Sequence, residues 1–350
     1  MCLGVENNWL ALTEPRMQNS SQESPASGPQ IGVLLVNLGT PSAPTAAAVR
    51  KYLAEFLSDP RVIDYPRWLW LPILYGIILR VRPSRSAQAY SKIWTPQGSP
   101  LLVNSRDLAS AVASVCDANI RVELAMCYGE PSITSAMQRL SGAGIRRVLV
   151  VPLYPQYSAT STAAAFDAVH AVVADMRWVP ELRSVADYHA APRYIDALAG
   201  SVRSFWAANG RAEKLLLSFH GIPQRYVRSG DPYAEQCLET AALLRDKLTM
   251  NADELIVTFQ SRVGREPWLA PYTDETLSQL PKQGIRRIQV LCPGFAVDCL
   301  ETLEEIAIRG NEQFSDAGGE KLDYIPALNA SSHHVELMRS LIEQHTSGWT

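Results

Sequence analysis

The chain lacks the features that mark several common protein classes. Its six cysteines (Cys2, Cys116, Cys127, Cys237, Cys292 and Cys299) are scattered, with no CxxC pair. That excludes a disulfide scaffold or zinc knuckle and fits a reducing cytosol. No cysteines cluster near the C-terminus, so no iron–sulfur cluster is expected. Basic residues are not in excess: 32 Lys and Arg face 35 Asp and Glu, a net charge of −3. With no basic stripe interleaved with aromatics, no nucleic-acid partner is expected. Neither GxGxxG nor GxxxxGK[ST] occurs, which leaves nucleotide binding without support.

Long apolar runs are also missing. Tyr65 to Leu79, YPRWLWLPILYGIIL, is interrupted by Pro66, Arg67 and Pro72. It falls short of the roughly 20 residues that a membrane span needs. It reads either as a buried helix–loop or as an apolar lip that wets a membrane or a greasy ligand. Residues 1–30 are rich in Ser, Pro, Gln and Asn and lack an apolar stretch of signal-peptide length. They read as a disordered tail.

What the chain does have is repetition. Strand-like runs at 31–37, 121–126, 147–152, 214–218, 255–260, 287–291 and 323–327 alternate with helical stretches. Strand–turn–helix units joined by right-handed crossovers predict parallel, doubly wound α/β sheets. With 350 residues and 47% apolar content, two lobes with a cleft between them are expected. In such sheets ligands sit outside the carboxyl ends of the strands.

Two segments place chemistry there. The run Leu215-Leu216-Leu217 delivers His220 onto the turn Gly221-Ile222-Pro223. Imidazole exchanges protons near neutral pH, which suits it to acid–base work or metal contact. About 80 residues later, Cys292-Pro293-Gly294-Phe295 follows another strand and leads to Asp298, Glu301 and Glu305. Their i, i+3, i+7 spacing predicts three carboxylates on one helical face, candidates for metal ligands or proton acceptors. A His with carboxylates suits Fe²⁺ better than a thiolate-seeking ion. Between these segments, QSRVGREPWL carries Arg262 and Arg265, read as a structural ion-pair network.

The segments VNLGTP, YSKIW, GSPL, LYPQYS, SFHGIP, QSRVGREPWL and CPGFAVDCLETLEEI occur in one order over residues 31–345. Together they resemble the ferrochelatase family, in its proteobacterial form. The resemblance implies a chelatase fold of two Rossmann-like lobes: residues 31–180 with a returning C-terminal segment, 328–350, and residues 181–327 carrying the metal site. It implies insertion of Fe²⁺ into protoporphyrin IX as the last step of haem synthesis, with both as substrates and no prosthetic group. His220 and Glu301 take the positions of the family's active-site pair, as catalytic and metal-handling residues. His220 is either the proton acceptor or an early metal ligand, with Asp298 and Glu305 in support of Glu301. Trp68, Trp70, Leu71, Leu74 and Tyr157 are expected to line the porphyrin pocket. A cytoplasmic enzyme is implied, peripheral at the inner membrane face through the 65–79 lip. Two departures stand out. Cys299 occupies a position where other members carry histidine, a difference common in the proteobacterial form, and Cys127 replaces the arginine of a Met-Arg-Tyr-Gly motif. The second exchange removes a bidentate carboxylate donor.

Overall fold

A computed structural model describes residues 30–349. The tail expected over residues 1–30 lies outside the described residues, apart from Gln30. Eight strands form two four-stranded sheets: β1 (Ile31–Gly39), β2 (Ile120–Tyr128), β3 (Arg147–Pro152) and β4 (Glu181–Ser184), then β5 (Lys214–His220), β6 (Leu255–Gln260), β7 (Arg287–Leu291) and β8 (Lys321–Ile325). Their orders are β2-β1-β3-β4 and β6-β5-β7-β8. All pairings are parallel. The expected doubly wound α/β architecture is what the chain adopts.

The central strands explain the apolar runs. In β1, Val33, Leu34, Leu35 and Val36 are wholly buried, because helices cover both faces of a parallel sheet. Leu216 and Leu217 in β5 are equally enclosed. The covering helices are α1 (Ala46–Leu57), α2 (Arg67–Ile73), α3 (Leu79–Ile93), α4 (Pro100–Val115), α5 (Ile133–Gly142) and α6 (Ala164–Ala174) around the first sheet. Then follow α7 (Pro192–Asn209), α8 (Gln224–Arg228), α9 (Tyr233–Leu248), α10 (Thr273–Gln279), α11 (Asn311–Asp316) and α12 (Ser332–Thr346). Hydroxyl caps start several of them: Thr45 accepts from the Ala48 amide at 3.3 Å, Ser132 from Ser135 at 3.3 Å and Ser331 from His334 at 3.4 Å.

Two helices cross between the sheets. α7 follows the first sheet's last strand and packs on α9 and β8. α12 follows the second sheet's last strand and packs on α4 and β3. Residues of both sheets share one continuous apolar core, including Val33 and Leu35 with Leu215, Leu217 and Phe219. The expected boundary at residue 180 needs correction: Glu181–Ser184 is a short edge strand of the first sheet, paired with Arg147–Val150. Its sparse apolar content hid it.

Each sheet reverses strand order at its centre. In the second, β5 has β6 on one side and β7 on the other. The crevice at the carboxyl ends of β5 and β7 is therefore a topological switch point, where open α/β sheets bind ligands.

The 65–79 segment is helical almost throughout. α2 runs into a π-helical turn, Leu74–Ile78, and on into α3, with Pro72 and Pro83 inside the helices. Two further π-helical stretches occur at Ala159–Ala163 and Glu301–Gly310. Such i→i+5 segments are rare and gather at functional sites.

Candidate active site

His220 is the last residue of β5, half-buried at the switch point. Its Nδ1 lies 2.7 Å from the Gly221 carbonyl oxygen. A carbonyl only accepts, so in the neutral ring Nδ1 carries the proton and Nε2 keeps its lone pair. The ring centroid is 6.4 Å from that of Phe295, on the loop after β7. Gly221 is required by close approach, since a Cβ there would meet the Gln260 carbonyl oxygen at 2.9 Å and the Trp268 ring at 3.2 Å. The turn is held by main-chain bonds from Gln224 to the Pro267 oxygen, 2.9 Å, and from Leu269 to the Ile222 oxygen, 3.0 Å. The GREPWL segment thus forms the back wall of the histidine turn.

Glu301 opens the Glu301–Gly310 π-helix and is half-buried. Gln260, beside His220 in the β5–β6 pairing, donates from Nε2 to the Glu301 carbonyl oxygen at 2.8 Å. Gln260 Oε1 accepts from the Ser218 hydroxyl at 2.7 Å. One buried amide therefore ties the histidine strand to the glutamate helix. On the other side stand Tyr52 and Tyr90 from α1 and α3. Burial pushes both phenols well above their usual range, and the charge of Glu301 adds to each. Burial also raises the Cys299 thiol, as do the charge of Glu301 and a hydrogen bond to it.

The three-carboxylate face does not form. Asp298 precedes the helix, and its carboxylate is buried, with three donors on Oδ1 and one on Oδ2. It accepts from the Tyr324 hydroxyl at 2.6 Å, Asn329 Nδ2 at 2.7 Å, the Thr302 hydroxyl at 3.0 Å and the Ala327 amide at 3.3 Å. Glu305 accepts from the Ser261 amide at 3.0 Å and the Ser261 hydroxyl at 2.6 Å, holding that residue at φ +66°. Both carboxylates hold loops in place, Asp298 chiefly through Oδ1 and Glu305 through one donor on each oxygen. Among the described residues no three His, Cys, Asp or Glu side chains group as a metal cage.

Sequence reasoning missed Glu304 and Lys92. Glu304, buried on the π-helix, accepts from Lys92 Nζ of α3 at 3.0 Å. The YSKIW motif supplied a signal for Lys92, but nothing local marks its partner 212 residues away.

The expected pocket residues separate. Trp68 is 79% exposed, as befits a lip. Trp70 and Leu71 are half-buried against the α1–α3 cluster, and the Trp70 indole donates to the Leu57 carbonyl at 2.7 Å. Leu74 is wholly buried with Val49, Tyr52 and Leu53, so it anchors the lip instead of lining a pocket. Tyr157 follows β3 in a loop pinned to the second sheet's helices. Its amide donates to Gln236 at 2.6 Å, while Ser158 and Ala159 donate to Asp231 at 2.9 and 2.8 Å.

Arg262 bonds to Glu275 and Asp274 at 2.8 and 3.0 Å and stacks over Tyr272, so it serves as a structural ion-pair residue. At the departure Cys127, burial pushes the thiol up to about 12, offset in part by the Tyr154 hydroxyl. It is neutral and gives no anchor to an anion. Cys116, Cys237 and Cys292 are likewise raised by burial.

The fold matches that of the sirohydrochlorin chelatase SirB from Bacillus subtilis subspecies spizizenii, solved with cobalt, at a TM-score of 0.55 and 11% identity over 92% of this chain and 98% of that one. This defines the class: a two-sheet α/β protein of chelatase fold. The ferrochelatase family model matches residues 30–346. The ferrochelatase of Teredinibacter turnerae is 51% identical over 95% of this chain and 93% of its own length. That of Nitrosococcus oceani is 52% identical over 92% and 88%. The chain belongs to the ferrochelatase family, the metal-inserting enzymes of haem biosynthesis.

Proposed function

We propose that this enzyme inserts Fe²⁺ into protoporphyrin IX with His220 as proton acceptor and Glu301 serving the opposite face of the ring. Metallation releases two pyrrole N–H protons while the ion sheds its water. The observation that carries the reading is the free Nε2 lone pair of His220, fixed by the Nδ1 bond to the Gly221 oxygen. No two further ligand side chains group with it among the described residues, which favours proton transfer over metal capture. Glu301, tied to the His220 strand through Gln260, receives the second proton or hands over the ion. Asp298 and Glu305 position that helix and take no part as ligands. No prosthetic group or iron–sulfur cluster enters this scheme; iron is a substrate.

The lip covers the macrocycle through Trp68 and its exposed neighbours Leu69, Ile73, Tyr75, Ile77 and Val81. No acidic residue occurs between Asp64 and Asp107, while Arg80, Arg82 and Arg85 are exposed. Apolar side chains flanked by cations favour peripheral contact with an anionic bilayer face. No helix among the described residues is long and apolar enough to cross a membrane. A cytoplasmic enzyme touching the inner leaflet fits this surface. Residues 31–184 with 328–350, and 185–327, serve as its two lobes.

The test is a multiple-turnover assay with Fe²⁺ and either protoporphyrin or coproporphyrin, read by Soret absorbance. Wild type turns over repeatedly with protoporphyrin. His220→Ala binds porphyrin but makes no haem. Near-wild-type turnover by that variant would remove His220 from the reaction, and a stop at one haem per chain would mark a binding protein.

A further inference from the structure

We propose that Tyr65–Ile93 is a strap fastened at both ends to the two catalytic segments, with Arg225 and the Lys92–Glu304 pair as positioning residues. The inference rests on the reading of His220 and Glu301 as the reacting pair.

The first end meets the histidine side. His220 is followed by Gly221-Ile222-Pro223 and then α8. From α8, Arg225 donates through Nη1 to both the carbonyl and the carboxylate of Asp64, at 3.1 and 3.0 Å. Its guanidinium also lies 4.8 Å from the centre of the Tyr65 ring. The neighbouring Tyr226 hydroxyl donates to the Val62 carbonyl at 3.2 Å and accepts from the Asp64 amide at 3.3 Å. Arg225 is braced from behind by Glu266 of the GREPWL segment at 3.0 Å. The turn that aims His220 and the root of the strap are thus one hydrogen-bonded unit.

The second end meets the glutamate side. Lys92, the penultimate residue of α3, bonds to Glu304 three residues beyond Glu301. The Glu304 side chain is only 10% exposed, so removing Lys92 would leave a largely buried carboxylate with only the more distant Arg309, at 3.6 Å. Leu300, just before Glu301, packs into the cluster formed by α1 and α3. Glu301 therefore stands between two attachments to the strap, while Gln260 and Ser261 hold it from the other side.

The span between the ends has a joint. The π-helical turn Leu74–Ile78 contains Gly76, around which an added Cβ would meet nothing, and Leu74 pins the span's inner face to the core. A displacement of the outer lip is passed to both catalytic segments, because neither end is free. Closing over a macrocycle and setting the two reacting side chains are then one motion.

The experiment compares Lys92→Met, Lys92→Arg, Arg225→Met and the double Lys92→Met/Glu304→Gln in the full chain. Steady-state kinetics is paired with hydrogen exchange of the porphyrin-free protein. Lys92→Met is expected to lower kcat about tenfold with KM for porphyrin little changed, and to speed exchange in the 301–310 peptides. Lys92→Arg restores both, and the double variant is no slower than Lys92→Met. Arg225→Met speeds exchange at 221–228 and lowers kcat similarly. A raised KM with unchanged kcat and unchanged exchange would make Lys92 a plain substrate contact and overturn the strap. So would equal slowing by Lys92→Arg and Lys92→Met. The exchange measurement needs no substrate, so it judges the strap even if His220→Ala proves active.

Discussion

Gln260 spans the two halves of the site: its main chain lies beside His220, and its Nε2 donates to the Glu301 carbonyl at 2.8 Å. The amide is 3% exposed and satisfies Ser218 at its other end. Gln260→Glu keeps the acceptor for Ser218 but loses the donor to Glu301. Turnover should fall about ten- to a hundredfold, since sub-ångström misplacement of a reacting group is costly. Stability should drop by about 1–3 kcal/mol from the unpaired carbonyl. Kinetics and urea unfolding separate the two losses, and a variant that loses stability alone would leave Gln260 a structural residue only.

Gly221 sits against the Gln260 carbonyl and the Trp268 ring. Gly221→Ala must push the His220 turn off one of them. Activity is expected to fall sharply while the protein stays folded, because the 2.9 Å contact is with backbone that cannot rotate away. Circular dichroism at wild-type amplitude with loss of Soret conversion is the predicted outcome. Full activity would show that the turn tolerates displacement.

Asp298 takes four donors, three on Oδ1 and one on Oδ2, all from the segments that frame the glutamate helix. Asp298→Asn should therefore destabilise the fold by about 1.5–3 kcal/mol, the range for hydrogen bonds to a charged group. Below its melting temperature the variant should retain wild-type affinity for Fe²⁺, measured by titration under anaerobic conditions. Weaker iron binding with unchanged stability would return Asp298 to the ligand set.

His334 is buried at the start of α12, with Nδ1 bonded to the Asn329 carbonyl at 2.6 Å. Burial pulls its pKa down to about 4. The unfolded chain takes up this proton near pH ~6.5 and the folded chain does not, so stability falls as pH drops from ~6.5 toward about 4. The full loss below that window is roughly 3 kcal/mol from this group. His334→Asn, which presents an amide donor to the same carbonyl, should flatten the slope. Urea midpoints at pH 7 and 4.5 for both proteins make the comparison. Equal slopes would assign the acid sensitivity to other groups.

The sequence made some of this legible and hid the rest for physical reasons. β5 and His220 could be read because an uninterrupted apolar run, buried on both faces, ends abruptly in polar residues. Glu301 could be placed after a second strand by the same logic. The partners of Asp298 stay hidden because spacing along the chain cannot show Tyr324 and Asn329 arriving from 26 and 31 residues further on. The π-helix escaped because an i, i+3, i+7 pattern assumes the α-helical period, whereas the i→i+5 ladder is settled by packing. Leu74 was assigned to the lip because a mostly exposed helix still buries one stripe. Lys92 and Glu304 belong to different sheets' surroundings, and only the fold brings their charges together.

The buried thiols carry a chemical consequence for an enzyme that handles ferrous iron. Only the thiolate competes for metal or reacts readily with oxidants. Each described cysteine is free, and burial keeps each one protonated. The interior thus offers soft sulfur without soft ligands. Among the described cysteines none stands as a ready thiolate for an arriving Fe²⁺ or for an oxidant, Cys299 beside Glu301 included.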